Sequence, residues 1–194
     1  MNCKLKATTL TLALISSVCF QQVVLAYDQS VFPGKGSKED FAKAAALSDK
    51  GSDFQDQANY KDALGMFQKA VSAYPYAAVF HYNVGQAYAK LNDYKSAIPG
   101  YKTAVKLAPD FQIAYANLSN AQFKIGKLRE AERTALKASE LDPNDPIAWI
   151  NLAQAEIPMK KTNSAKEHLL KAKNLPNAKE FAKDIAELDQ KLGN

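Results

Sequence analysis

Small and bulky apolar residues recur three and four positions apart along residues 78–109, a spacing that places their side chains on one face of an α-helix. Two such runs occur, and a polar turn at residues 91–93 separates them. The runs contain His81, Val84, Gly85 and Tyr88, and then Ala97, Tyr101 and Ala104. Small residues let two helices approach closely and bulky residues fill the remaining space, so the pattern predicts a helix-turn-helix unit.

The same unit recurs with a period of 34 residues, and its alanines and prolines define the register. The equivalent positions are Ala63, Ala97, Ala131 and Ala165, then Ala70, Ala104, Ala138 and Ala172, and then Pro75, Pro109 and Pro143. A fixed period of this length is typical of a repeat array. The sequence therefore predicts an all-α fold of four repeats, whose frames begin at Ala44, Ala78, Gln112 and Pro146.

The segments outside the repeats are interpreted as the ends of the array. Ser37 is a typical N-cap, so the first helix is expected to begin near Lys38. At the other end, an apolar stripe predicts a capping helix that covers the last apolar face; its residues are Phe181, Ile185, Leu188 and Leu192. The predicted segments are a signal peptide at 1–26, a flexible leader at 27–37, repeats at 38–77, 78–111, 112–145 and 146–177, and the capping helix at 178–192.

Two local features of the repeats carry structural expectations of their own. The aromatic residues Phe67, Tyr88 and Trp149 are predicted to be buried between helices. Pro99 lies within the second helix of its repeat, where proline removes a backbone donor and clashes one turn back, so a kink or a delayed helix start is expected.

The first 26 residues have the organisation of a secretory signal peptide. Lys4 and Lys6 precede an uncharged stretch, and Val24-Leu25-Ala26 offers a cleavage site before Tyr27. An uncleaved membrane anchor at residues 7–26 is the alternative, although several threonines, serines and glutamines make that stretch a poor spanning helix. Both cysteines of the chain, Cys3 and Cys19, lie within this segment, so the mature chain would contain no thiol and no disulfide.

Charge and candidate chemistry add few constraints. The chain has 25 Lys and Arg against 20 Asp and Glu, and loss of Lys4 and Lys6 would leave about +3, which is too weak a charge to indicate nucleic-acid binding. The two histidines, His81 and His168, are far apart and have no metal-ligand spacing. His81 occupies the packing position that Tyr115 and Trp149 hold in later repeats. No phosphate-binding loop or nucleophile elbow is present, so no cofactor, metal or enzymatic activity is predicted.

With these residues the chain resembles the tetratricopeptide repeat family over residues 44–177. The family pattern of a bulky residue, Leu-Gly, Tyr, then Ala with an aromatic four later, then Pro is matched by Gly51, Phe54, Ala63, Phe67 and Pro75, and by Gly85, Tyr88, Ala97, Tyr101 and Pro109. The third repeat departs at Gln122 and Ala135, and the fourth departs at Glu156 and Pro158. The resemblance implies a right-handed α-solenoid of four helix-turn-helix repeats with a C-terminal capping helix.

In this family the first helix of each repeat lines a concave groove, which the resemblance places at repeat positions 2, 5, 6, 9, 12 and 13. The candidate groove residues are Tyr82, Asn83, Gln86, Asn117, Asn120, Phe123, Ile150, Asn151 and Gln154. One subclass grips acidic chaperone C-termini with basic and amide residues at fixed positions. Here those positions hold Tyr82, Gln86, Asn117, Ile147 and Asn151, of which only Asn117 matches, so that mode of binding is not expected.

Carboxamides form two rows at the repeat step within this groove. The first row is Asn83, Asn117 and Asn151, and the second, three residues further along, is Gln86, Asn120 and Gln154. Residues three apart share a helix face, and a carboxamide both donates and accepts, so the rows suit the backbone of an extended peptide. The alternative is that the first row forms hydrogen bonds between neighbouring helices.

These features predict an exported, non-enzymatic adaptor that binds a peptide segment or a partner helix in the groove. The alternative is a cell-envelope assembly or scaffold factor that uses its convex or edge surfaces. The expected compartment is periplasmic or secreted, or membrane-tethered if the N-terminal helix is not cleaved. The partner is expected to be a protein or peptide, without nucleic acid and without stable membrane insertion after cleavage; the oligomeric state stays open.

Overall fold

The computed structural model describes residues 36–193, which form nine α-helices, one 3-10 helix and no strand. The helices are α1 (Lys38–Asp56), α2 (Tyr60–Ala73), α3 (Ala78–Lys90), α4 (Tyr94–Leu107), α5 (Gln112–Lys124), α6 (Leu128–Leu141), α7 (Pro146–Glu156), α8 (Thr162–Lys173), the 3-10 helix Ala178–Phe181, and α9 (Ala182–Lys191). The predicted signal peptide and nearly all of the predicted leader lie outside the described residues.

Both helices of the repeat keep the 34-residue step. The first helices α3, α5 and α7 begin at Ala78, Gln112 and Pro146, and the second helices α2, α4, α6 and α8 begin at Tyr60, Tyr94, Leu128 and Thr162. Each helix packs mainly against the helices before and after it in the chain, and first helices also contact one another. The predicted all-α repeat solenoid is therefore confirmed.

Every repeat uses the same turn between its two helices. One residue in the left-handed region occurs at each step, namely Ala58, Asn92, Gly126 and Lys160. The amide of the next residue donates a hydrogen bond to the carbonyl five positions earlier. Examples are Asp93 to Tyr88 at 2.9 Å and Lys127 to Gln122 at 2.9 Å. This bond satisfies a free carbonyl at the end of the first helix and reverses the chain in the manner of a Schellman motif.

The cap at the N-terminal end of the array agrees with the sequence prediction. α1 begins at Lys38, and the Ser37 hydroxyl accepts a hydrogen bond from the Asp40 amide at 3.0 Å. This bond satisfies one of the free amides of the first turn.

In the first two repeats a glycine on the first helix faces a large aromatic residue on the second helix, and their volumes compensate. A Cβ added to Gly51 would lie 2.5 Å from the Phe67 ring, and one added to Gly85 would lie 2.8 Å from the Tyr101 ring. The corresponding pairs are Ser119 with Ala135 and Ala153 with Leu169. Because the interior is close-packed, an aromatic residue on one helix requires glycine on the other.

The prediction that three aromatic residues are buried is correct for Phe67 and wrong for Tyr88 and Trp149. Phe67 is 1% exposed, whereas the other two are partly buried. Each keeps its polar group near the surface: the Tyr88 hydroxyl accepts from Gln68, and the Trp149 indole N–H donates to the Pro143 carbonyl at 2.9 Å. A ring with a polar atom packs at an edge, where that atom finds a partner.

Of the two alternatives expected at Pro99, the delayed helix start is wrong, and the kink stays a prediction. α4 begins at Tyr94, at the same step as its counterparts, and runs continuously through Pro99. Pro99 is exposed, so water can solvate the Lys95 carbonyl that lacks its usual partner. The next residue, Gly100, faces α3, where an added Cβ would lie 2.7 Å from the His81 carbonyl oxygen.

The C-terminal helix α9 covers the last repeat, as expected of a capping helix. Ile185 and Leu188 are buried in one cluster with Ile150 of α7 and Leu169 of α8, and Phe181 and Leu192 pack against the same cluster. Within residues 36–193, no helix is both long enough and apolar enough to cross a membrane.

Candidate ligand groove

The asparagines of the first carboxamide row connect successive first helices. Each donates its side-chain amide to the residue 35 positions earlier: Asn83 to the Ser48 hydroxyl at 3.0 Å, Asn117 to the Tyr82 hydroxyl at 2.9 Å, and Asn151 to the Ala116 carbonyl at 2.9 Å. Asn151 also donates to the Ser119 hydroxyl at 3.0 Å. The amide nitrogens of this row thus follow the alternative interpretation, hydrogen bonding between neighbouring helices.

The second carboxamide row is less engaged. Gln86, Asn120 and Gln154 are all partly buried, and Gln86 donates to the Tyr82 hydroxyl at 3.3 Å. Neither Asn120 nor Gln154 forms a side-chain hydrogen bond with another residue of the described part of the chain. Their donors and acceptors are therefore available to a ligand.

Tyr82 lies where the two rows meet. Its ring packs against Tyr101 and Phe111, with centroids 5.7 and 5.1 Å away. Burial raises the pKa of Tyr82 to about 12, against a smaller opposite effect of the hydrogen bond from Asn117. The oxygen accepts from both Asn117 and Gln86, which occupies both lone pairs.

The structure brings four of the predicted groove residues around one cavity of about 300 Å³ between α5, α7 and α9. We call it the C-terminal cavity. Its predicted lining residues are Asn120, Ile150, Asn151 and Gln154, and its remaining ones are Lys124, Ile147, Phe181, Asp184, Glu187, Leu188 and Lys191. Tyr82, Asn83, Gln86, Asn117 and Phe123 do not line it. Ile150 is buried beneath α9 and Phe123 is partly buried.

Sequence reasoning missed the contribution of α9 to this cavity. One further step of 34 residues from Pro146 reaches Glu180, so α9 occupies the place of a first helix in a fifth frame. In that frame Phe181 corresponds to Ile147, and Leu188 corresponds to Gln154. The 34-residue period is the signal that predicts this correspondence, although no second helix follows α9 within residues 36–193.

A second polar cluster lies between α7 and α8. Glu156 is 2% exposed and accepts hydrogen bonds from the Ser164 hydroxyl at 2.5 Å and from His168 Nδ1 at 2.9 Å. The His168 ring stacks on Trp149 at 5.5 Å, and the Lys171 ammonium lies 4.8 Å from the Trp149 ring centroid. These contacts connect α7 to α8 within the fourth repeat.

His81 has a packing role like that of Trp149. Its Nε2 lies 2.8 Å from the Pro75 carbonyl oxygen, which can only accept, so Nε2 carries the proton. The indole of Trp149 makes the same contact to Pro143 two repeats later. Within residues 36–193, no three His, Cys, Asp or Glu side chains are grouped so as to hold a metal ion.

Family models identify the class of protein to which this repeat geometry belongs. Two models described as tetratricopeptide repeat match residues 48–110 and 91–155, which together span more than half of the chain. The chain belongs to the tetratricopeptide repeat family. No curated protein matches the sequence.

Several solved structures share the fold. The first tetratricopeptide repeat domain of Spaghetti (RPAP3), bound to the HSP90 peptide SRMEEVD, is 29% identical with a TM-score of 0.61, and the match covers 62% of this chain and 95% of that one. YrrB, a repeat protein with an unusual peptide-binding site, is 23% identical with a TM-score of 0.67, covering 88% and 83%. MamA is 21% identical with a TM-score of 0.65, covering 80% and 87%.

Proposed function

We propose that this protein is an exported, non-enzymatic adaptor that binds a peptide segment of a partner protein in the groove formed by its first helices. The observation that carries the proposal is the pair of unengaged carboxamides, Asn120 and Gln154, beside the apolar side chains of the C-terminal cavity. Binding sites combine an apolar lining with a few placed polar groups in this way.

The hydrogen-bonding groups of the groove suit a peptide backbone. Asn120 and Gln154, which both line the C-terminal cavity, each offer a donor and an acceptor. Ile113, which is 55% exposed at the groove edge, adds apolar surface. A ligand held mainly through its backbone is recognised with little dependence on its own side chains at these points.

A similar structure supports peptide binding but not the same peptide chemistry. The RPAP3 domain that is 29% identical binds the HSP90 peptide SRMEEVD, which has three acidic residues among its last four. In this chain the positions that grip such a terminus in the family hold Tyr82, Gln86 and Ile147, none of which carries positive charge. The proposed ligand is therefore not an acidic terminus held by a ring of basic residues.

The test begins with peptides selected from a random phage-displayed library on the immobilised, purified protein. Binding of a selected peptide is then measured by fluorescence anisotropy for Gln86→Ala/Asn120→Ala/Gln154→Ala. We expect at least a tenfold loss of affinity, since a few hydrogen bonds of about 0.5–1.5 kcal/mol each exceed the 1.4 kcal/mol that corresponds to tenfold. A matched control removes three exposed carboxamides elsewhere, Gln57→Ala/Asn163→Ala/Gln190→Ala. Equal affinity for both triple variants would contradict binding in the groove.

The second candidate function, a cell-envelope assembly factor that uses another surface, has one observation in its favour. Leu136 on α6 and Leu170 on α8 are 45% and 56% exposed and occupy equivalent positions of two successive repeats. Exposed apolar side chains aligned in this way suit a contact with another protein. A partner that is lost with Leu136→Ser/Leu170→Ser and kept with the groove triple variant would favour this function.

A further inference from the structure

The groove changes its chemistry where α9 begins. The two carboxamide rows run through Asn151 and Gln154, and the equivalent positions on α9 are Ile185 and Leu188. A third row at the repeat step is apolar throughout, with Val79, Ile113, Ile147 and Phe181 as its members. The positions that hold carboxamides in the repeats are therefore apolar on α9.

The C-terminal cavity has the size of a site for one side chain. Its apolar residues are Ile147, Ile150, Phe181 and Leu188, and its volume is about 300 Å³. Ligand sites for small molecules begin at roughly this volume, so the cavity has room for one large apolar side chain and for part of the backbone beside it. Asn120 and Gln154 line the same cavity and can bind the backbone beside that side chain.

Four exposed charged residues border the cavity. Lys124 and Lys191 are in the last turns of α5 and α9, and Asp184 is in the first turn of α9, with Glu187 one turn further along. None of the ion pairs formed among residues 36–193 includes any of the four. Along α9 the charge at the cavity changes from acidic at Asp184 to basic at Lys191. Unpaired charges of both signs around an apolar site fix the orientation and register of a complementary ligand.

We propose that the C-terminal cavity binds one large apolar side chain of the partner peptide, flanked by a basic residue next to Asp184 and Glu187 and by an acidic residue next to Lys124 and Lys191. The proposal rests on the proposed function and makes it specific. It gives α9 a second role, since the helix that covers the last repeat also supplies four of the eleven lining residues of this binding site.

The probes are two blocked synthetic peptides, Gly-Ser-Glu-Leu-Lys-Ser-Gly and Gly-Ser-Lys-Leu-Glu-Ser-Gly, which present the charges in the two possible chain directions. Binding to the purified, ¹⁵N-labelled protein is followed by NMR through the side-chain amide signals of Asn120 and Gln154. We expect titration of these signals to give an affinity at least tenfold higher for one peptide than for the other. Replacement of the leucine in the preferred peptide by serine should abolish the shifts. Absence of shifts with both peptides, or shifts that do not depend on the leucine, would overturn the proposal.

A charge reversal on α9 tests the same site with a second measurement. Asp184→Lys/Glu187→Lys should lower the affinity for the preferred peptide about tenfold. The control Glu39→Lys/Glu180→Lys makes the same change in net charge at exposed positions outside the cavity. Circular dichroism checks that both variants remain folded, and Lys124→Glu/Lys191→Glu gives an independent reversal with the same expectation. Equal binding by the cavity variants and the control would overturn the proposal.

The two proposals fail in different ways. Tyr82 and Gln86 belong to the groove but do not line the cavity, so Tyr82→Phe/Gln86→Ala reports on the groove alone. If this variant weakens the binding of a phage-selected peptide and Asp184→Lys/Glu187→Lys does not, the cavity proposal is wrong and groove binding stands. If neither variant affects the selected peptide, both proposals are wrong.

Discussion

Asn117 donates its side-chain amide to the phenolic oxygen of Tyr82, 2.9 Å away and one repeat earlier in the chain. Asn83 and Asn151 make the equivalent bond to Ser48 and to the Ala116 carbonyl. The acceptor changes from serine hydroxyl to phenol to main-chain carbonyl, while the donor and the spacing are kept. The repeated element is therefore a connection between first helices, and the acceptor differs with the residue that each repeat offers.

The two carboxamide rows are expected to respond differently to substitution. Asn83 and Asn151 are buried, so replacing them by alanine leaves polar partners unsatisfied, at about 1–3 kcal/mol each. We therefore expect Asn83→Ala/Asn117→Ala/Asn151→Ala to lower the free energy of urea-induced unfolding by several kcal/mol. The triple variant of Gln86, Asn120 and Gln154 serves as the control and should unfold much closer to the wild type. Equal stability of the two variants would contradict the structural role of the first row.

The ionisation of Tyr82 predicts that the folded protein loses stability at alkaline pH. Its pKa is about 12 in the folded protein, against 10.0 for an unperturbed tyrosine. The unfolded chain therefore loses this proton at a lower pH than the folded protein does. The contribution of protonated Tyr82 to the free energy of unfolding is full below pH 10 and is lost as the pH rises toward 12. Tyr82→Phe should reduce the fall in unfolding free energy between pH 9 and 11. Burial also raises the pKa of Tyr101, so some of the fall should remain.

The compensation of volume between Gly51 and Phe67 predicts a favourable coupling. Gly51→Ala brings a Cβ against the Phe67 ring and should destabilise the protein by about 1–3 kcal/mol. In a Phe67→Leu background, which mimics the Ala153 and Leu169 pair of the fourth repeat, the same change should be much less harmful. A double-mutant cycle of thermal unfolding measures the difference.

Gly65 provides the control for that cycle. It lies inside α2 with nothing within 4 Å of an added Cβ. Gly65→Ala should stabilise the protein by about 0.4–1 kcal/mol, because alanine reduces the freedom of the unfolded chain. A coupling of zero between positions 51 and 67 would show that their close approach is not the constraint.

The pair of Glu156 and His168 predicts a strong dependence of the fourth repeat on one histidine. His168→Ala removes one of the two hydrogen bonds that the buried Glu156 carboxylate accepts from α8, and leaving a buried polar group short of a partner typically costs about 1–3 kcal/mol. His81→Ala, which removes the other described histidine from a partly exposed site, should cost less. Urea unfolding of both variants gives the comparison, and a smaller loss for His168→Ala would mean that Glu156 is solvated.

The proposed export predicts the N-terminus of the native protein. Cleavage after Ala26 gives a chain that begins at Tyr27 and contains no cysteine. Edman sequencing or intact-mass measurement of protein from its native compartment should find this end. Material that retains Met1 would favour the membrane-tethered form instead.

Much of this fold follows from local sequence. The period of 34 residues sets where the helices begin, because each helix start is determined by nearby caps, turns and the spacing of apolar residues. The cap at Ser37 and the apolar stripe of α9 were found for the same reason. Pro99 shows the limit of local reasoning, since exposure of one helix face makes tolerable a residue that the chain pattern alone marks as disruptive.

The candidate site needed the tertiary structure. The sequence pattern places Asn117 and Asn120 in parallel rows and predicts ligand binding equally for both. Only the positions of the neighbouring helices show that Asn117 is already hydrogen-bonded to Tyr82. In the same way, α9 had the periodicity of a cap, and its acidic and basic residues were indistinguishable from a solvated face until its packing on α7 enclosed the cavity. The sequence by itself determined the class of fold and the register of its helices, because those depend on contacts between residues close in the chain. Which polar groups remain available to a ligand depends on contacts about 35 residues apart, and these exist only once the repeats have stacked.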